Sequence, residues 1–228
     1  MGLSPLYSSL FGGANTTANA TAGSLATATT GWADAPTVGT QYQWVDVSGG
    51  KLNIASLRAK NAGGGSTVAY AYNAGTAVRD QNIVVYYKAS DMGGAYCSYI
   101  SRYDPGSGSN YEVEFDFAGT IKIYPVASSG TPLIATAITA VNLAADWHIS
   151  ITATGSTAIT ITASVYQGTT LLGTASVTDS APPTAVQGAT YCGISGLSSQ
   201  TIYQIDINQV TSSIVPVLSS YYRRRRSA

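Results

Sequence analysis

Glu112, Glu114 and Asp116 stand two apart in the stretch Asn110-Tyr-Glu-Val-Glu-Phe-Asp-Phe117, and Glu occurs nowhere else in the chain. Carboxylates at that spacing share one face of a strand, and a retaining glycosidase needs two carboxyls about 5–5.5 Å apart as nucleophile and general acid. The same alternation has a plainer meaning. Tyr111, Val113, Phe115 and Phe117 form the buried face of a strand, and the acids form its wet face. Like charges so close repel by a few tenths to ~1 kcal/mol unless a cation intervenes. Lys122, in the strand after the Ala118-Gly119 reversal, is placed to be that cation.

Other reactive residue types are sparse. His148 is the single histidine, so a Ser-His-Asp or Cys-His site would have to be built around it. It lies on the polar side of a strand whose other side carries Trp147, which reads as a surface histidine. Cys97 and Cys192 have no metal-ligand spacing and read as buried small residues in strands; whether they pair is left open. No phosphate loop, dinucleotide fingerprint or metal cluster is present, so no cofactor is implied.

Sixteen tyrosines offer flat rings with hydroxyl handles, a mix suited to sugars and to protein interfaces. Tyr70, Tyr72, Tyr86, Tyr87, Tyr96, Tyr99 and Tyr103 precede the loop Asp104-Pro-Gly-Ser-Gly-Ser109. At least half of these seven should be core. Tyr99 and Tyr103, with Arg102 and Asp104, are the expected glycan-contacting patch.

The elements that must position these residues are strands. Over 228 residues only 10% are charged, Gly and Pro number 24 and 8, and Val, Ile, Thr and Tyr recur with period two. Helix-favouring runs are missing. Tyr42–Val47 and Lys51–Ser56 around Ser48-Gly-Gly50 read as a hairpin. Strands are further expected at 67–73, 81–89, 96–103, 110–117, 120–124, 133–141, 146–154, 158–167, 171–178, 191–197 and 202–210. Roughly a dozen strands with no fixed repeat call for one two-sheet antiparallel sandwich.

The order of five phrases resembles the concanavalin A-like lectin/glucanase jelly roll, also used by laminin G-like modules. They are Trp44 with Gly49-Gly-Lys-Leu52; Tyr86-Tyr-Lys with Gly93-Gly-Ala-Tyr96 and Arg102; Tyr111-Glu-Val-Glu with Gly119-Thr-Ile-Lys-Ile; Trp147-His-Ile-Ser-Ile with Gly155; and Tyr191-Cys-Gly-Ile with Ile205-Asp-Ile. Together they cover residues 40–210. Laminarinase-type members of that family use Glu-x-Asp-x-Glu or Glu-x-Asp-x-x-Glu. Here the middle residue is Glu and the last Asp, which counts against catalysis by Glu112 with Glu114 or Asp116. The low charge, Gly/Thr/Ala richness and short arms are also similar to jelly rolls on tailed-phage particles.

That resemblance implies a non-enzymatic virion surface protein: a capsid decoration, head fibre or tail component with weak adhesion to cell-surface glycans. The alternatives are a laminarinase-type hydrolase and a soluble lectin module. The expected organisation is an N-terminal arm or extended edge segment over 1–35, a sandwich over 36–212 and a basic tail over 213–228. Leu6, Tyr7, Leu10 and Phe11 of the arm and Arg223, Arg224, Arg225 and Arg226 of the tail are expected to anchor other virion proteins or copies of the chain. Taking those four arginines from the eleven cationic residues leaves seven against eleven acidic ones in residues 1–222. That argues against a nucleic-acid-binding face except through the tail. No segment reads as a signal peptide or membrane helix.

Overall fold

The structure is a computed structural model. It describes residues 2–9, 23–24, 36–38, 44–46, 52–55, 58–61, 69–89, 96–125, 131–197 and 201–211. These form an antiparallel β-sandwich with one five-residue helix, α1 (Thr184–Gly188), as the strand periodicity predicts. No helix among the described residues is long and apolar enough to cross a membrane.

One layer is a seven-stranded sheet. Its order is β15 (Thr170–Asp179), β14 (Ile159–Gln167), β13 (Trp147–Thr154), β8 (Gln81–Tyr87), β18 (Gln204–Thr211), β1 (Gly2–Ser9) and β3 (Pro36–Val38). The other layer has eight strands: β12 (Ile134–Ala137), β11 (Thr120–Pro125), β10 (Tyr111–Asp116), β9 (Tyr96–Tyr103), β16 (Tyr191–Leu197), β7 (Ala69–Asn73), β4 (Trp44–Asp46) and β2 (Gly23–Ser24). A third, unanticipated sheet joins β17 (Thr201–Ile202), β6 (Arg58–Asn61) and β5 (Leu52–Ala55).

Period-two patterning decides which face is dry. Along β13 and β14, buried and half-buried residues alternate, so Ile149, Ile151 and Ala153 meet Val165, Ala163 and Ile161 on the inner face. Facing them, Tyr111, Val113 and Phe115 of β10 are fully buried. Each such side chain contributes about 1.5–3 kcal/mol by leaving water. Trp147 is the centre: it stacks on Tyr87 at 4.4 Å and 10°, and meets the edges of Phe115 and Phe117 at 5.4 and 5.7 Å. Two buried phenols cross the core, with Tyr87 and Tyr99 oxygens 2.7 Å apart and the Cys97 thiol 2.7 Å from Tyr99. Cys97 and Cys192 are free and buried.

The Ala118-Gly119 reversal forms as expected. Gly119 has φ 104°, and an added Cβ would meet Ile138 O at 2.5 Å, so the hairpin closes only with glycine there.

Two expectations change. The hairpin over Tyr42–Val47 and Lys51–Ser56 does not form: β4 pairs with β7 and β2, whereas β5 pairs with β6. The apolar start is no arm over Gly2–Ser9 but an interior strand between β18 and β3. A register shift between Pro5 and Tyr7 absorbs the donor that proline lacks, and Tyr7, 1% exposed, enters the chain's own core. Tyr7 is therefore not available to a partner, and Leu6 is half-buried beside it. Leu10, Phe11 and Arg223 to Arg226 lie outside the described residues.

Candidate functional site

The acidic row lies on the outer face of the eight-stranded sheet, and two of its members have a local task. Glu114 pairs across the hairpin with Lys122, whose Nζ donates to Oε1 at 2.7 Å, the cation anticipated from sequence. Asp116 Oδ1 accepts the Ala118 amide at 2.9 Å and holds the turn. Glu112 was expected to face water. It is instead only 6% exposed, and its cross-strand neighbours Ile100 and Tyr124, at 0% and 9%, are covered with it.

The expected glycan patch comes apart. Tyr99 is fully buried and points inward with Cys97. Arg102 adopts φ 54° where β9 carries an extra residue against β16, a bulge that breaks the alternation. Its guanidinium is buried: Nη2 donates to Asp80 Oδ1 at 3.0 Å and to Gly155 O at 2.6 Å, joining β9 to the β7–β8 and β13–β14 connections of the opposite layer. Burial lowers its pKa to about 10, against the pull of Asp80. Tyr103 is 5% exposed and packs on Tyr72, which packs on Tyr191. Asp104 spends its carboxylate on its own loop, accepting from Ser107 Oγ at 2.5 Å, Ser107 N at 3.2 Å and Gly106 N at 3.2 Å. The Ser107 hydroxyl is the main reason its pKa is lowered.

At the opposite end of the sheets from Arg102 and Gly155 is a cleft of about 270 Å³ lined by Tyr86, Tyr87, Lys88, Asp146, Trp147, His148, Gly168 and Tyr203. Four segments distant in sequence meet there: β8 lies between β13 and β18, with His148 opposite Tyr86 and Gln204 opposite Tyr86 on the other side, and the Gly168 amide donates to Asp146 O at 3.3 Å. Tyr203 is fixed by its amide, which donates to Tyr86 O at 2.9 Å. The stacked Tyr87 and Trp147 close the inner wall.

The polar groups at its rim are held by several bonds. Lys88 Nζ donates to Asp146 Oδ2 at 2.6 Å and sits 4.7 Å from the Tyr203 ring centre. Asp146 Oδ1 accepts the Ala89 amide at 3.1 Å. Gln167 Nε2 donates to the carbonyls of Asp146 and Ala145 at 2.9 and 3.0 Å. The Lys88 and Asp146 side chains are 38% and 53% exposed, so the ion pair contributes no more than ~1 kcal/mol to stability. Its consequence is geometric: a donor and an acceptor fixed beside aromatic walls.

His148 is no bland surface residue. It stands between Tyr166, stacked at 4.8 Å and 8°, and Tyr86, at 5.1 Å. Burial lowers its pKa, favouring the neutral imidazole. Tyr86 is pushed up to about 12 by burial and by its bond to Asp206. Asp146, Gly168 and Tyr203 carried no sequence signal, and Lys88 entered only as the end of the Tyr86-Tyr-Lys phrase, with no binding role read from it. Among the described residues no group of three or more His, Cys, Asp or Glu converges to hold a metal.

No protein-family model and no curated protein matches the chain. Among solved structures it is similar to the carbohydrate-binding module CBM66 from Bacillus subtilis, at 11% identity and TM-score 0.44 over 74% of this chain and 94% of that one. It is similar also to a protein of unknown function from Shewanella oneidensis MR-1, at 10% identity and TM-score 0.43 over 74% and 79%. A third is the metal-free carbohydrate recognition domain of Emp46p, at 8% identity and TM-score 0.43 over 74% and 89%.

Proposed function

We propose that the chain is a non-catalytic glycan-binding β-sandwich displayed on a virion surface, and that the cleft around Lys88, Asp146 and Tyr203 takes a neutral sugar. The observation that carries the binding reading is the Lys88 ammonium fixed between the Asp146 carboxylate at 2.6 Å and the Tyr203 ring at 4.7 Å. A sugar presents adjacent hydroxyls on an apolar ring. It needs a donor, an acceptor and an aromatic wall in fixed relation, and a pocket with few polar groups among rings provides them. Because the cation is already balanced, a neutral ligand costs no uncompensated charge.

The acidic row supports binding over hydrolysis, since Glu114 is tied to Lys122 and Asp116 to its turn, away from the cleft. What supports display on a particle is compositional: a chain only 10% charged that carries Arg223 to Arg226 in its last residues. Those arginines would engage capsid or tail proteins, or copies of this chain, through many salt-sensitive contacts.

Calorimetric titration of neutral mono- and trisaccharides tests the cleft. Lys88→Ala, Asp146→Asn and Tyr203→Ala should each weaken binding about tenfold or more, roughly the 1.4 kcal/mol of one hydrogen bond or ring contact. Unchanged affinity in all three would sink the assignment. For display, removal of residues 223–228 should leave a folded protein that no longer enters its particle; undiminished incorporation would contradict the anchoring role.

A further inference from the structure

Beyond the cleft, the outer face of β13, β14 and β15 carries a three-by-three grid of hydroxyls. Cross-strand register sets Ser150 beside Ser164 and Thr174, Thr152 beside Thr162 and Ser176, and Thr154 beside Thr160 and Thr178. Strand geometry spaces the grid by about 4.8 Å across strands and about 6.8 Å along them. No charged side chain points outward from these three strands. Thr174, Ser176 and Thr178 are exposed, and the other six are half-buried.

The hydroxyls are ordered by one another. Thr160 with Thr178, Thr162 with Ser176, and Ser164 with Thr174 are each bonded at 2.8 Å. Asn82 Nδ2 donates to Ser150 Oγ at 2.9 Å and Thr152 Oγ1 at 3.1 Å. A hydroxyl has one proton to give and two lone pairs. One partner in each bonded pair therefore keeps its proton, and Ser150 and Thr152, accepting from Asn82, keep theirs.

Three kinds of partner can be weighed against such a face. An apolar partner would leave only the spare protons of these groups unpaired, a cost below the about 1–3 kcal/mol of a wholly unsatisfied group but owed at each one covered. A charged partner would bury charge with no counter-charge across the contact. A neutral polymer of sugars both donates and accepts throughout, so neither cost arises. The face also begins at the cleft, because His148 lines that cleft and Ser150, Thr152 and Thr154 follow it along one side of β13.

We propose that this hydroxyl grid continues the cleft into a binding surface for a neutral polysaccharide, one stretch of which occupies the cleft while the rest lies over β13–β15. The proposal rests on the cleft reading. From His148 to Thr154 the face runs six residues, about 20 Å, room for several sugar units.

The test compares the trisaccharide and the polymer of the same neutral hexose (glucan, mannan and galactan), with polygalacturonate as an acidic control. Two variants are used. The double substitution Thr162→Val with Ser176→Ala removes one bonded pair in β-compatible form, and Ser176→Lys adds a charge at an exposed position; melting temperature checks that both fold. A neutral polymer is expected to bind wild type at least tenfold more tightly per site than its trisaccharide. Both variants should remove that advantage and leave trisaccharide affinity unchanged. Equal affinity for polymer and trisaccharide, a polymer advantage that survives both variants, or preference for polygalacturonate would overturn the proposal. Trisaccharide binding with no polymer advantage would leave the cleft reading standing alone. Polymer binding lost in the variants but unmoved by Lys88→Ala would overturn the cleft reading and, with it, the continuity of cleft and grid.

Discussion

Arg102 and Asp80 join the two layers of the sandwich, the Nη2 of one donating to the Oδ1 of the other at 3.0 Å, with the arginine side chain fully buried. Asp80 Oδ1 also accepts the Gly155 amide at 3.0 Å, so a single carboxylate oxygen organises the β13–β14 turn and neutralises the guanidinium. Breaking a buried pair by removing one partner costs about 3–5 kcal/mol, and the partial exposure of Asp80 places this case at the low end. Urea denaturation of Arg102→Leu should show a loss of about 3 kcal/mol. A change below about 0.5 kcal/mol, the level of an ordinary surface substitution, would mean that the clamp is dispensable.

Alkaline pH should destabilise the fold early. Burial pushes the Cys97 and Cys192 thiols from 9.0 up to about 12. Tyr87 and Tyr99 are also raised, chiefly by burial. A group raised in the folded state keeps its proton after the unfolded chain has lost it. Its stabilisation is whole below about pH 9 for the thiols and declines from there to about 12. The slope is about 1.4 kcal/mol per pH unit for each thiol. Melting temperature followed from pH 8 to 11 should fall, and Cys192→Ala should flatten the fall even if it lowers the starting value. A pH-independent melting temperature over that range would contradict the burial of these groups.

His148 gives the opposite sign. Its pKa is lowered by burial, so the stability it contributes is present above the ordinary 6.5 and is lost as pH falls below it. As the chain has one histidine, its imidazole carbon-bound protons report alone in a proton NMR titration. The midpoint should lie below 6.5 in wild type and return toward it in Tyr166→Ala, which opens one side of the stack. A midpoint above 6.5 would contradict burial as the cause that sets the imidazole's protonation.

The acidic row should be catalytically silent. Glu112→Gln is expected to leave reducing-sugar release at the level of a no-protein blank, the same as wild type. Lys122→Ala should cost under ~1 kcal/mol, the ordinary worth of a partly exposed pair. Wild-type turnover lost in Glu112→Gln would revive the hydrolase reading.

What was legible in the chain was whatever a strand's own alternation records. Trp147, Ile149 and Ile151 inward, Tyr86 and Tyr87 on opposite faces, and Glu114 across from Lys122 all follow from period two and one tight turn. Arg102 was misplaced because a left-handed residue in a bulge reverses that alternation, and nothing in Ser101-Arg-Tyr103 marks the bulge. Gly2–Ser9 reads as part of an arm because it leads into a Gly/Ala/Asn/Thr/Ser stretch too polar to pack alone; its place depends on β18, some 200 residues away. The cleft was out of reach for the same reason. Residues 86–88, 146–148 and 203 meet only through the order β13-β8-β18, which local pattern does not encode.

The most direct measurement is amide chemical-shift mapping of the isotopically labelled full chain titrated with a neutral trisaccharide that binds. Gly168, Lys88 and Tyr203 should shift with one saturating curve, while Gly106 and Glu114 stay still. Saturable shifts at Gly106 or Glu114 with Gly168 and Tyr203 unmoved would put the ligand elsewhere and contradict the cleft.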